Sequence, residues 1–189
     1  MRYFTYSLIA AANDWIEQTE EEHRQAEERF RSVVEDYHRE LDSLESRISQ
    51  KAWHFFRFGF GRYGLHDAGL LSFNVGDGLD YNPDGSSPFR INRQRLSARL
   101  EFLNYEQDLH YLFELRGIKR VRSDLFGEKE FNDKSIGDLF TYELTEVDND
   151  ILQLGFLFAS GASIVIQFRK LVFRRRRIKR QYDAGEMYS

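Results

Sequence analysis

The chain contains no cysteine, which removes disulfide frameworks, thiolate metal sites and cysteine nucleophiles together and makes a reducing, cytoplasmic compartment the expectation. Proline is nearly as scarce, with both copies, Pro83 and Pro88, in one short stretch. The rest of the chain therefore lacks the residue that most often interrupts helices and strands. No hydrophobic run approaches the roughly 20 residues that a membrane-spanning helix requires. The nearest approach to a secretory leader is Arg2 followed by Tyr3 to Ala12. Thr5 and Ser7 interrupt it and an acidic segment follows, so no leader is expected.

What is present suits a real core. In 189 residues, 41 % are hydrophobic and 15 % aromatic, enough for one sizeable domain with an aromatic-rich interior. The net charge of -4 is unevenly spread, with acids crowded between Glu17 and Glu45 and bases gathered from Arg169 to Arg180. Such polarity points to charged partners rather than to a particular fold.

Two halves of the chain follow different periods. Leu8, Ile9, Ala12 and Ile16 are helically spaced behind Thr5, a candidate cap for a short helix over 5–18. Thr19 followed by Glu20, Glu21 and Glu22 is a capping-box pattern with acids in the first turn. A longer helix is predicted from there to about Phe58, with Phe30, Val34, Tyr37, Leu41, Leu44 and Ile48 on one narrow stripe. That stripe suits packing inside the chain or, with fewer than three heptads, a homodimer seam. From Leu70 onward the period is two. Strands are predicted over 70–75, 96–102, 109–115 and 118–121 on either side of Gly117, then 139–147, 151–158 and 163–173.

The expected fold is α+β: N-terminal helices, one of them long and amphipathic, packed on an antiparallel meander sheet of about six to seven strands. Pattern alone leaves the sheet open or closed into a barrel. The corresponding organisation is a helical segment over 1–58, a β domain over 59–173 and a basic, flexible tail over 174–189.

Chemical signatures are thin. Gly59-Phe60-Gly61-Arg62-Tyr63-Gly64 matches the glycine string of dinucleotide-binding turns, but a helix precedes it and a strand follows, the reverse of what that motif needs. His38 and Asp42 share a helix face without a second ligand pair, so no metal is expected. Asp148 and Asp150 read as a hairpin turn rather than a calcium loop. Ser160-Gly161 and Gly85-Ser86-Ser87 lack the surroundings of a nucleophile elbow. Neither a catalytic residue nor a cofactor is expected. The run Arg174, Arg175, Arg176, Arg177, Lys179 and Arg180 is a candidate phosphate-binding segment, though no aromatic residue is interleaved with it to stack bases.

Several short motifs occur together: the opening Arg2-Tyr3-Phe4-Thr5, Leu65-His66-Asp67 after the glycines, Ile136-Gly137-Asp138-Leu139-Phe140 with Tyr142-Glu143, and Ser160-Gly161-Ala162. In these the chain resembles a bacterial family of domain-of-unknown-function proteins with a Tyr-Phe-Thr opening and a Phe/Leu-His-Asp turn, similar to immunity proteins of polymorphic toxin systems. The resemblance implies a non-enzymatic cytoplasmic inhibitor that occludes a cognate toxin. Its acidic helix, through Glu20, Glu21, Glu28 and Glu35, would then steer a basic toxin domain. His66 and Asp67 occupy a matching position, which the residues themselves read as a structural turn. The competing expectations are a nucleic-acid-associated protein using the basic run and an oligomeric component using the long helix.

Overall fold

The computed structural model describes residues 1–59, 64–76, 96–124 and 137–178. Among them are three helices, α1 (Tyr6–Ala12), α2 (Glu20–Ser43) and α3 (Gln50–Phe58). Each begins on a side-chain cap, which satisfies an amide that the first turn cannot. Thr5 accepts from the Leu8 amide, Thr19 and Glu22 form a full capping box, and Ser49 accepts from the Ala52 amide. The predicted starts at Thr5 and Thr19 are thus correct, but two extents are not. α1 stops at Ala12, six residues early, because Asp14 turns left-handed at φ 56°.

The single helix expected to reach Phe58 is two helices, broken at Leu44. Leu44 and Ile48 are both buried in the core. Breaking the helix lets the aromatic face of α3 turn toward the sheets, and new bonds compensate the exposed helix end. The Trp53 indole donates to the Leu41 carbonyl at 3.2 Å and Arg57 reaches Asp42 at 3.1 Å. Tyr37, Leu41, Leu44 and Ile48 of the predicted stripe are consumed inside the chain. Those four residues offer no seam to a second copy.

Eight strands follow among the described residues: β1 (Gly69–Gly76), β2 (Ser97–Leu103), β3 (Leu109–Arg116), β4 (Arg120–Asp124), β5 (Leu139–Asp148), β6 (Ile151–Phe158), β7 (Ser163–Phe168) and β8 (Lys170–Arg177). They form two antiparallel four-stranded sheets, β1-β2-β3-β8 and β4-β7-β6-β5. The expected count of six to seven and the single meander are corrected by one feature. β3 with β4, and β7 with β8, are two long strands that pair with each other and bend together at Gly117 and Arg169, passing from one sheet to the other. At the corner the Arg169 amide donates to Arg116 and the Lys119 amide to Gln167, a bulge with an extra residue on the β3–β4 side. Gly117 sits there at φ 68°, and a Cβ would come within 3.2 Å of Arg169. Glycine relieves both constraints.

The barrel alternative is also settled. Two bonds, Asp67 N–H to the Leu139 carbonyl and Leu139 N–H to the Ala68 carbonyl, bring the starts of β1 and β5 together. Among the described residues no strand ladder joins them, and the two sheets do not close into a barrel. The basic run is corrected too: Arg174 to Arg177 belong to β8 rather than to a flexible tail.

The core lies between the sheets and under α3. Ala98, Leu100 and Phe102 of β2 are fully buried, as their alternation with exposed Arg99 requires. Phe102 and Phe113 from one sheet meet Phe156 from the other at 4.9 and 5.7 Å. Phe55 of α3 reaches Tyr111, Phe113 and Phe173 on the first sheet and Tyr142 on the second. One ring therefore bridges both layers.

Candidate functional site: an aromatic-rimmed cavity beside a His–Asp turn

Among the described strands β5 is an outer one, and its outward amides need partners that no neighbouring described strand supplies. α2 supplies them. The Leu144 amide donates to the Tyr37 hydroxyl at 3.1 Å and the Glu146 amide to Glu40 at 2.7 Å. Glu40 also accepts from the Tyr3 hydroxyl at 2.5 Å and from Arg2 at 2.8 Å. Burial and the adjacent Glu40 carboxylate push the Tyr3 phenol up to about 12, keeping it a donor.

On the opposite face of β5, Glu143 is fully buried and accepts from the backbone amides of Arg2, Tyr3 and Phe4. Its cross-strand partner is Gly155, whose missing side chain leaves room for Met1 to lie over the strand. The chain's first four residues are thereby held against the sheet.

This clamp shapes a cavity of about 770 Å3 where α1, α2, α3 and β5 meet. Phe30, Val34 and Tyr37 enter from α2, Phe56 from α3, and Phe140 and Tyr142 from β5. Beyond Asp14 the Trp15 amide returns to the Ala10 carbonyl at 2.9 Å, which sets the indole 5.5 Å from the Phe140 ring. Tyr6 lies 5.5 Å from the same ring, and Trp15 and Tyr105 remain 54 % and 76 % exposed. Several polar groups of the cavity are already used internally. Asn13 bonds Ile9, the Tyr142 hydroxyl bonds Gly59, and Asn104 holds its own turn through Asp108 and Leu109. What remains available is chiefly apolar and aromatic surface, suited to an apolar anchor.

His66 and Asp67 stand at the border of this cavity, with Nδ1 and Oδ2 at 2.8 Å. Their side chains are 60 % and 55 % exposed. In a Ser-His-Asp arrangement the carboxylate that orients the imidazole is buried; here it lies in water, where such a pair contributes little. The turn is anchored by the Asp67 backbone amide, which donates to the Leu139 carbonyl at 2.9 Å. Asp67 is left-handed at φ 60°. Asp67→Ala is therefore expected to cost about 1 kcal/mol while Asp67→Gly costs nothing measurable, as read by urea denaturation. Equal stability of all three proteins would remove the backbone explanation.

The other sequence-predicted residues are dispersed. Glu20, Glu21, Glu28 and Glu35 lie exposed along α2, but Arg24 bonds both Glu21 and Glu28, at 2.7 and 2.8 Å. Glu20 and Glu35 keep their charge uncompensated by an ion pair among the described residues. Asp42 is taken by Arg57, and among the described residues no group of three or more His, Asp or Glu is placed to hold a metal. Asp148 accepts from the Asn149 amide in the β5–β6 hairpin, and Ser160 from the Ala162 amide in the β6–β7 hairpin. Lys179 and Arg180, most of the glycine string and Gly85 to Ser87 fall outside the described residues.

Sequence reasoning missed Glu40 and met Glu143 only as part of a short motif, without a role. Glu143 sits in the polar phase of β5 with Thr141 and Thr145, which reads as a solvent face; nothing in its spacing signals that Arg2 to Phe4 cover it. No protein family, curated protein or solved structure matches the chain. Among the described residues no helix is long and apolar enough to cross a membrane.

Proposed function

We propose that the chain is a protein-binding inhibitor of the immunity type, which occludes a basic toxin domain without performing chemistry of its own. The supporting observation is the cavity. Exposed Trp15 and Tyr105 at an apolar recess are the residue types that dominate binding energy at protein interfaces, because large rigid rings lose little entropy on docking. Among the described residues no Lys or Arg lines it, whereas Asp67 and Glu106 do, and Asp14 and Glu17 flank Trp15 in the chain. A partner that inserts an apolar anchor flanked by positive charge fits both features. The acids of α2 act at longer range, on the rate of encounter. The lack of cysteine suits work in the cytoplasm.

The test is co-expression of the full chain with the polypeptide encoded beside it, followed by gel filtration of the pair. Rescue of growth and a stable complex are expected, with Trp15→Ala weakening the complex about 30-fold or more. Glu20→Gln with Glu35→Gln should slow association more than it speeds dissociation. A neighbouring product that is harmless, or that does not bind the chain, overturns the reading.

A further inference from the structure

Arg174 and Arg176 are successive same-face residues of β8, opposite Leu112 and His110 of β3. Strand geometry spaces them about 6.7 Å apart. β8 is the outer strand of its sheet, and together with α3 it lines a groove of about 1150 Å3. Lys51 from the first turn of α3 and Arg99 from β2 join the β8 arginines there. Phe58 completes the wall, with the Arg57 guanidinium 5.1 Å over its ring and 56 % of the residue still exposed. Among the described residues no carboxylate lines this groove, although the whole chain has 31 acidic against 27 basic residues. Arg99 is engaged by Glu101 at 2.9 Å, while Lys51, Arg174 and Arg176 have no ion-pair partner among the described residues.

Arginines on an outer strand discourage edge-to-edge pairing, which accounts for β8 by itself. It does not account for Lys51 arriving from a different element or for an exposed aromatic ring beside the cations; the nearest carboxylate, Glu101, is held by the lining residues Arg99 and His110 at 2.9 and 2.7 Å. We infer that this groove binds single-stranded nucleic acid, with phosphates on Lys51, Arg174 and Arg176 and a base stacked on Phe58. Evenly spaced cations match an evenly spaced polyanion, and a concave site with an aromatic wall receives unpaired bases that a duplex keeps stacked inside. The basic run has no interleaved aromatic in sequence, but the fold brings one from α3. The inference is independent of the cavity described above, with which the groove shares only Gly59.

The experiment is fluorescence anisotropy of labelled oligothymidylate with the full chain across a salt series, with a duplex of equal length as comparison. Single-strand binding is expected, with log affinity falling linearly in log salt by about 0.7 per phosphate contacted. Arg174→Gln with Arg176→Gln should weaken binding at least tenfold and flatten the slope by about 1.4. Phe58→Ala should weaken it about tenfold with the slope retained. Lys51→Gln, on a separate element, tests the same slope if the strand variant folds poorly. Arg120→Gln with Arg122→Gln, exposed on β4 away from the groove, should leave affinity unchanged. No binding at low salt, equal loss in the β4 pair, or tighter binding of the duplex would each overturn the assignment.

Discussion

Glu143→Leu is expected to destabilise the protein by about 2–4 kcal/mol, although a leucine in a buried strand position would ordinarily be welcome. The reason is what the carboxylate accepts. Arg2, Tyr3 and Phe4 direct their backbone amides at it, and each buried donor left without an acceptor costs about 1–3 kcal/mol. The opening segment can escape part of that cost by peeling into water, which caps the loss and gives it a signature. Burial of Met1 over Gly155 and of Phe4 against Tyr37 would be lost with it. Urea denaturation should show the lower midpoint, and hydrogen exchange should show the Arg2 to Phe4 amides losing protection before the rest of the sheet. Glu143→Gln, which keeps one acceptor oxygen, should fall between the two proteins. An unchanged midpoint and unchanged protection in Glu143→Leu would show that the clamp contributes nothing.

Phe55→Ala is expected to cost about 3–5 kcal/mol, at the upper end for a single core truncation. Its ring is 4.5 Å from Phe173, 5.6 Å from Tyr111 and 5.8 Å from Phe113 on one sheet, and stacks at 5.4 Å on Tyr142 of the other. The cavity left would open onto four aromatic neighbours that belong to different sheets, so relaxation of one cannot close it for the rest. Phe55→Leu should recover most of the loss, because it restores volume though not the ring contacts. Thermal and urea denaturation measure both. If alanine costs less than about 1 kcal/mol, α3 is a passenger on the sheets rather than the element that joins them.

The helix starts at Thr5 and Thr19 were legible because a cap is a local device: the side chain that accepts and the amide that donates are three residues apart. The inward phase of β2 was legible for a similar reason, since a one-residue slip would bury Arg99 and Glu101. Glu101 is held below its usual pKa despite partial burial, because His110 and Arg99 bond it on the outer face. The break at Leu44 was not legible, because the residues that demand it lie on the sheets that α3 must reach. The cavity was equally hidden: Trp15, Phe56, Tyr105 and Phe140 are scattered in sequence and share only a place in the fold.

By itself, then, the sequence determined the α+β class, the antiparallel pairing and the inward residues of β2, all of which follow from periodicities a few residues long. Tertiary structure alone decided that two long strands bend at Gly117 and Arg169 to make two sheets, that Glu143 is buried under the first residues, and that Arg174 and Arg176 stand in a groove with Lys51 and Phe58. Those outcomes depend on contacts between segments up to 141 residues apart, whose geometry is set by packing and hydrogen-bond satisfaction over the whole molecule rather than by any local pattern.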